Sequence, residues 1–271
     1  MSLARAIVLL AGLAPALVLA QVGRANALPS LPPEEAAKAL ADFRASGLTV
    51  DLVAKFELRH LPRDEDKPAP KAEGTLWMSW RHAFPAARVD IGDRSFLVLR
   101  TSSGTRAWMA NRGGAAEPIP AGALRPLLPG FLFSTVDLQA PFADWKDTAY
   151  LGSERRRGRP LNLYLAKRPG PSADLPPAVR FGLDRAYLAL IEAAALDEAG
   201  KPVRTMRADD FAQVDEVWIL GKASVTDERS RDRDLLEVRE ASVKDRLPAS
   251  LFDAATLGRP AGFAPAHLKR L

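Results

Sequence analysis

Few residues in this sequence have the types and spacing that catalysis or metal binding requires. The histidines are His60, His82 and His267, and none has a second ligand at the spacing of a metal site. The 271 residues include no cysteine, which excludes disulfides, zinc–thiolate sites, thiol nucleophiles and a lipid-modified cysteine. We therefore expect no metal and no cofactor.

Two further segments resemble catalytic motifs only superficially. Asp90 and Asp93 could form a carboxylate pair, but acids where a strand meets a turn are common surface residues. Residues 101–105 (TSSGT) match neither a nucleophile elbow nor a phosphate loop and are typical of a turn. Because no nucleophile is paired with a base, we predict no catalytic residue and a protein that is not an enzyme.

The start of the chain has the pattern of an export signal. Arg5 precedes an apolar run over residues 6–20, and residues 25–27 (ANA) offer a small-x-small cleavage site, with residues 18–20 as a second choice. The run is shorter than the ~20 residues that span a bilayer. We therefore predict cleavage of residues 1–27 and a periplasmic product, with residues 28–271 forming one domain.

Charge gives little reason to expect a nucleic acid partner. The formal net charge is +5, and removing a signal that carries Arg5 and Arg24 lowers the charge of the remainder. The excess is spread among many carboxylates, which is compatible with passing contact with anionic lipid.

The hydrophobic pattern predicts one helix followed by an antiparallel meander. Residues 34–46 form a short amphipathic helix, residues 48–60 alternate as a long strand, and the charged, proline-rich residues 62–71 form a loop. Short helical segments are predicted at 121–128 and 249–256. Further strands are predicted at 74–80, 87–91, 95–101, 105–110, 150–154, 160–167, 178–183, 187–196, 216–227 and 234–243.

The middle and C-terminal parts of the chain resemble a known superfamily. The likeness covers residues 74–257 and rests on the order and spacing of several short motifs. These are LPGF at 128–131, VDL at 136–138, Trp145, YLG at 150–152, the strand pair around 161–165, VRFGLD at 179–184, Asp197 with Gly200-Lys201, Val217-Trp218 and Leu251-Phe252 with Leu257. In these motifs the chain resembles the outer-membrane lipoprotein-sorting superfamily, the LolA-like periplasmic carriers.

The resemblance implies a mainly β fold with α-helices, in which a curved antiparallel sheet forms an incomplete β-barrel and helices cover its concave face. It also implies a carrier that shields lipoprotein acyl chains or lipid. Its partners would be an inner-membrane ABC transporter and an outer-membrane receptor. An envelope-stress regulator that senses lipid or protein with the same fold, and a packed structural module, remain alternatives.

Strand phase predicts which side chains point inward. They would line the lipid cavity, although apolar residues at strand period are also typical of an ordinary core. The predicted lipid-binding residues are Val50, Leu52, Phe56, Leu58, Leu76, Met78, Trp80, Val179, Phe181 and Leu183.

Two segments are candidates for contact with a membrane or a partner protein. Phe131, Leu132 and Phe133 form an unusually apolar connection, which could instead be a strand start in the core. Arg155, Arg156 and Arg157 form the densest basic cluster, which could reach anionic headgroups or could be a solvated hairpin tip.

Overall fold

The computed structural model describes residues 27–45, 50–64, 66–67, 69–82, 85–101, 104–120, 124–172 and 174–271. The predicted export signal therefore lies outside the described residues, except for Ala27. The same holds for Ser46 at the end of the predicted helix, for residues 48–49 of the first long strand, for residues 102–103 of the TSSGT turn, and for residues 121–123.

The described residues form one helix of three turns, one short helix and fifteen strands. Helix α1 spans Pro33–Ala45 and α2 spans Thr135–Gln139; 3₁₀ turns occupy Pro141–Asp144, Ala249–Phe252 and Ala254–Thr256. The strands are β1 Ala27–Leu28, β2 Leu52–Leu61, β3 Lys71–Ser79, β4 Ala86–Ile91, β5 Arg94–Thr101, β6 Gly104–Asn111, β7 Glu117–Ile119, β8 Thr148–Arg156, β9 Arg159–Lys167, β10 Ala178–Asp184, β11 Leu190–Leu196, β12 Pro202–Val214, β13 Val217–Asp227, β14 Arg233–Ser242 and β15 Lys269–Arg270.

The strands form a single antiparallel sheet that is curved and open. Its order is β1-β8-β9-β10-β11-β12-β13-β14-β2-β3-β4-β5-β6-β7, with β15 added at the end of β14. Among the described strands, the two edges β1 and β7 do not pair with each other, so the predicted incomplete barrel is confirmed. In the described residues, β1 pairs with β8 over two residue pairs and β7 pairs with β6 over three.

The middle of the sheet joins strands from opposite ends of the sequence. Strand β14 pairs with β2 over nine residue pairs, with Val238 opposite Phe56. Across this seam Arg59 donates from Nη2 to Glu237 Oε2 at 3.3 Å, although the two residues are 178 positions apart. The sheet is therefore two meanders, β2–β7 and β8–β14, joined at β14 and β2.

Helix α1 confirms the prediction from the sequence. Pro33 begins it, the next two residues are glutamates that favour the positive end of the helix dipole, and Arg44 lies in the last turn. Its buried side chains are Ala36 and Leu40. Arg44 ties the helix to the 3₁₀ turn below it by donating to the carbonyls of Ala143 and Trp145, each at 2.7 Å.

Several details differ from the sequence-based expectations. The longest strand, β12, was not predicted, because Asp209 and Asp210 interrupt its alternation at a β-bulge. Residues 124–128 contain no helix, so the helical segment expected at 121–128 is wrong over those residues. The segment 187–196, where alanines favoured a helix on propensity, is strand β11 from Leu190 onward, as predicted.

The C-terminal segment covers the outer face of the first meander. Its residues Leu247, Leu251, Phe252 and Leu257 pack on an outer core that also contains Trp77. Here the outer face of the sheet is the one that carries Val53, Trp77 and Leu97, and the inner face is the one that carries Phe56 and Phe181.

A buried carboxylate, Asp245, fastens this C-terminal segment. It accepts hydrogen bonds from the backbone N–H groups of Ala266, at 2.9 Å, and His267, at 3.3 Å, and it contacts the ring Nδ1 of His267 at 3.1 Å. Burial would raise the pKa of Asp245, but these bonds together with Ser242 outweigh it and lower the pKa from 3.8 to about 2.

The lowered pKa predicts an acid-sensitive contribution to stability. Because the folded-state pKa lies below the unfolded value, the contribution is fully present above pH 3.8 and is lost as the pH falls towards about 2. We expect the free energy of unfolding, measured with urea at pH 5 and pH 2, to fall less in Asp245→Asn than in the unchanged protein. The exposed Asp147→Asn is the control, and an equal fall in all three proteins would contradict the prediction.

Candidate functional site

The inner face of the sheet carries two separate cores. The first lies over β2–β6 and β12–β14 and includes Phe56, Phe96 and Val225; the second lies over β8–β11 beneath α1 and includes Tyr164 and Phe181. Met206, on the inner face of β12, packs against both. The surface between the two cores contains a groove, which we call the inner groove.

Small side chains on β11 create this inner groove. Ala193 lies between Phe181 of β10 and Met206 of β12, and Ala195 lies between Val179 and Arg204 in the same manner. A methyl group does not reach as far from the sheet as the neighbouring side chains do. The groove is therefore open above β11, where larger residues would have joined the two cores.

The inner groove has a volume of 410 Å³, within the ~300–1,000 Å³ typical of ligand sites. Its walls are mainly apolar, with charged side chains at one wall and at the mouth. It is lined by Leu124, Val136, Asp137, Pro141, Phe142, Trp145, Arg168, Ser172, Asp174, Leu175, Pro176, Pro177, Val179, Ala193, Ala195, Leu196, Asp197, Glu198, Val203, Arg204, Met206 and Arg229.

An ion pair between Arg204 and Asp137 forms the polar wall. Arg204 donates from Nη1 to Asp137 Oδ1 at 2.7 Å and from Nη2 to the carbonyl of Leu132 at 3.0 Å. Asp137 also accepts from the backbone N–H and the hydroxyl of Ser134, closing a capping box at the start of α2. Both charges are thus used within the protein, and they fix α2 against β12.

The mouth of the inner groove is shaped by a proline-rich loop between β9 and β10. Arg168 holds this loop by donating to the carbonyls of Gly170, Ser172 and Leu175. Leu175 and the two prolines that follow it then line the groove. These hydrogen bonds fix the described residues of the loop, which belong to no strand or helix.

A second buried carboxylate, Asp234, anchors residues 131–133, which lie over the first core and which we call the covering segment. It accepts from the backbone N–H groups of Leu132, at 2.6 Å, and Phe133, at 2.8 Å, and lies 2.8 Å from Nδ1 of His60. Burial raises the pKa of Asp234, and these three hydrogen bonds act in the opposite direction. The carboxylate stays buried because its partners satisfy its oxygens.

The ring of Tyr164 closes the floor beneath α1. It stacks on Phe181 with 5.4 Å between ring centroids, and its hydroxyl donates to the carbonyl of Ala36 at 2.9 Å. Burial, with Tyr150 nearby, raises the pKa of Tyr164 to about 12. The hydroxyl therefore stays protonated and keeps donating to the helix at any ordinary pH.

The structure places the predicted lipid-binding residues mostly in the cores. Of that set only Val179 lines the inner groove, with Phe181 packed in the second core beside it. Leu183 also lies in the second core, while Leu52, Phe56 and Leu58 are buried in the first core, and Val50, Leu76 and Met78 pack against it half-buried. Trp80 is half-buried after the end of β3. The strand phase was read correctly, but helices and loops cover these positions.

The position of Phe131 and Phe133 does not support the expected contact with a membrane or a partner protein. Both side chains are buried in the first core, and Leu132 between them packs against it. The segment is a loop rather than a strand start, and its backbone N–H groups donate to the carboxylate of Asp234. In this position the phenylalanines are not available to a membrane.

The basic cluster lies at the turn between β8 and β9. Arg155 and Arg157 are exposed, while Arg156 is half-buried in ion pairs with Glu154 and Glu192. This position is consistent with the alternative prediction that these residues form a solvated hairpin tip.

Sequence reasoning missed the residues that define the inner groove. Ala193, Ala195, Arg204 and Met206 lie on strands β11 and β12, of which the second was not predicted at all. The signal that could have found them is the run of alanines in a strand, because alanine has low strand propensity and leaves space on a packed face.

No helix in the described part of the chain is long and apolar enough to cross a membrane. Within those same residues, no group of three or more His, Cys, Asp or Glu side chains is placed to hold a metal ion.

Comparisons with known proteins place this fold. A family model described as an uncharacterized protein matches residues 90–259. No curated protein matches the chain in sequence.

Three solved structures share most of the architecture. A DUF1329 family protein from Desulfovibrio piger is 10% identical, with a TM-score of 0.70, covering 83% of this chain and 99% of that one. A putative outer membrane lipoprotein-sorting protein domain from Vibrio parahaemolyticus is 14% identical, with a TM-score of 0.69 and coverage of 83% and 97%. A LolA superfamily protein from Nitrosomonas europaea is 12% identical, with a TM-score of 0.53 and coverage of 84% and 98%. The resemblance found in the sequence is thus confirmed at the level of the fold.

Removing the anchor of the covering segment tests its role. We expect Asp234→Ala to lower the free energy of unfolding by on the order of 3 kcal/mol, because two buried backbone N–H groups lose their acceptor. Urea denaturation at pH 7 measures this change. The exposed Asp66→Ala is the control and should change stability by less than about 0.5 kcal/mol. Equal stability of the two variants would show that the buried carboxylate does not hold the segment.

Proposed function

The chain belongs to the family, described as an uncharacterized protein, whose model matches residues 90–259; we propose that it is a periplasmic carrier that shields a lipoprotein acyl chain or a lipid in the inner groove. It acts by binding alone, without a catalytic step. The observation that carries the proposal is the apolar groove above Ala193 and Ala195, on the inner face of a sheet with a lipoprotein-sorting fold.

The dimensions of the groove fit a single hydrocarbon chain. Taking ~30 Å³ for each methylene, about the volume of one water in the liquid, 410 Å³ holds on the order of a dozen groups. Each methylene kept from water contributes about 0.8 kcal/mol. Apolar burial of one chain is therefore sufficient for tight binding without any hydrogen bond to the ligand.

The distribution of charge in the groove favours an amphiphile. Asp137 and Arg204 neutralise each other at one wall, so an apolar chain beside them meets no unpaired charge. At the mouth, Arg229 and Glu198 are exposed and Arg168 is half-buried. The apolar chain would lie over β11 while its polar end remained in water among these side chains.

Export and the handover partners belong to the same proposal. The apolar segment at residues 6–20 and the cleavage site at 25–27 support a periplasmic location. The lipoprotein-sorting fold supports an inner-membrane ABC transporter as donor and an outer-membrane receptor as acceptor.

Filling the groove tests the proposal. We expect Ala195→Trp to weaken uptake of a fluorescent fatty acid by more than tenfold, because the indole would occupy the space between Val179 and Arg204. Fluorescence titration of the purified, delipidated mature protein measures the affinity, and thermal unfolding confirms that the variant folds.

Ala149→Trp is the matched control, since Ala149 is exposed on β8 and lies outside the groove. If Ala195→Trp unfolds, Ala193→Leu makes the same test with a smaller side chain. Uptake that survives in a folded groove variant would place the ligand elsewhere and overturn the proposal.

A second measurement separates a carrier from a sensor. A carrier is expected to move the labelled lipid from donor vesicles to acceptor vesicles faster than spontaneous exchange. A sensor with the same fold would bind the lipid and retain it, so binding without transfer would contradict the carrier function.

A further inference from the structure

In the described part of the chain, none of the hydrophobic cores lies on the outer face of the second meander, whereas the C-terminal segment and the outer core cover that of the first. Ion pairs occur on this face: Arg207 contacts Glu192 at 3.0 Å, and Arg233 contacts Asp209 at 2.8 Å. A face of this kind is normally solvated throughout. Large apolar side chains on it therefore need an explanation.

Such side chains occur at one end of this face, around the start of β13. The first four residues of the strand, Val217 to Leu220, are all apolar, so alternation points Ile219 into the first core and leaves Trp218 and Leu220 outside. Trp218 is 60% exposed and Leu220 is 40% exposed. The sequence thus breaks the wet–dry pattern at the two positions that face solvent.

Two more aromatic residues join them to form what we call the aromatic patch: Tyr187, Phe211, Trp218 and Leu220. Phe211 pairs directly with Leu220 across β12 and β13. Tyr187, in the turn after β10, is 78% exposed. Tyr187, Phe211 and Trp218 line one concavity of 440 Å³, together with Arg159, Asp184 and Ala189.

The aromatic patch is continuous with the turn at residues 155–159, which we call the arginine turn. Arg159 lies over the ring of Phe211, 5.3 Å from its centroid, and also lines a second concavity that contains Arg155 and Arg157. In the described part of the chain, Arg155 makes no ion pair and donates to the carbonyl of Gly158 at 2.8 Å. The aromatic patch therefore has a cationic rim on one side.

The pairs made by the outer arginines are weak enough to exchange. Arg157 is 72% exposed and lies 3.3 Å from Asp209, and Arg159 lies 3.7 Å from Asp184. The arginine side chains are exposed, and their carboxylates keep other partners when an arginine leaves: Asp209 keeps Arg233, and Asp184 keeps the backbone N–H groups of Ala186 and Tyr187. A phosphate on an approaching surface can therefore replace either carboxylate as the partner of its arginine.

We infer that the aromatic patch and the arginine turn form a docking surface for an anionic phospholipid bilayer. Tryptophan and tyrosine favour the headgroup region, where the ring is shielded and its polar atom stays wet. Arginines beside them bind the headgroup phosphates. The docking surface goes beyond the carrier function, because it does not include the residues that line the inner groove.

The position of the docking surface leaves the inner groove accessible. The groove mouth lies where β10 and β12 begin, near Pro177 and Val203, and the aromatic patch lies where the same strands end. Because β10 has seven residues, the two sites are separated by roughly 20 Å along the sheet. A docked molecule would hold the mouth away from the bilayer, open to a partner.

Vesicle binding of the mature protein tests the inference. We expect it to sediment with phosphatidylglycerol vesicles, to remain in the supernatant with phosphatidylcholine vesicles, and to be released by high salt. Trp218→Ser combined with Tyr187→Ser is expected to lower the apparent affinity at least tenfold, and Arg157→Gln about fivefold.

The chain offers matched controls for each change. Leu61 is as exposed as Leu220, at 39% against 40%, and lies at the far end of the β13–β14–β2 pairing. We expect Leu61→Ser to bind the vesicles like the unchanged protein, and Leu220→Ser to bind them more weakly. Arg106→Gln removes a comparable exposed arginine that stacks on Trp108.

Two results would overturn the inference. One is an unchanged protein that fails to bind anionic vesicles. The other is patch variants that bind them as well as the controls do. Uptake of the fluorescent fatty acid by the same variants should be unaltered, so a failure of docking is distinguishable from a failure of the carrier function.

Discussion

A curved sheet of this width has more inner surface than its covering elements can bury, and that mismatch governs the molecule. One helix of three turns and two short helical turns lie over the inner face, together with the segment around Phe131. They build two cores instead of one. The strip between the cores remains uncovered because alanines, not larger residues, occupy it on β11. The inner groove is thus a region where packing was left incomplete.

Polar pins make the incomplete packing stable. Asp234 fixes the segment over the first core, Asp137 with Arg204 fixes α2 against β12, and Arg44 fixes α1 to the turn beneath it. Each pin bonds to backbone groups as well as side chains, so the covering elements have defined positions at the border of the groove. Apolar contacts alone, being non-directional, would favour collapse of the two cores onto each other.

The alternation of side chains made most of the fold predictable from the sequence. Strand β2 alternates over most of its length, with Val53 as the exception, and turn residues mark the ends of most strands. Strand β12 escaped because its bulge at Asp209 and Asp210 disrupts the period on which such reasoning depends. The inner groove escaped for a different reason: strand phase gives the face on which Phe56 or Val179 lies, but not which helix or loop covers it. Positions covered by a helix or a loop lie in the cores, whereas Val179, beside the alanines of β11, lines the inner groove.

The seam between β14 and β2 bears on how this protein reaches its native state. Each meander consists of hairpins between neighbours in sequence, which form quickly, whereas pairing β14 with β2 requires closing a loop of more than 170 residues. Strand β14, which completes the centre of the sheet, thus follows every other strand of the two meanders in the sequence. Until β14 is in place, the two half-sheets would keep unpaired central edges, a state that favours engagement by chaperones before the two halves join.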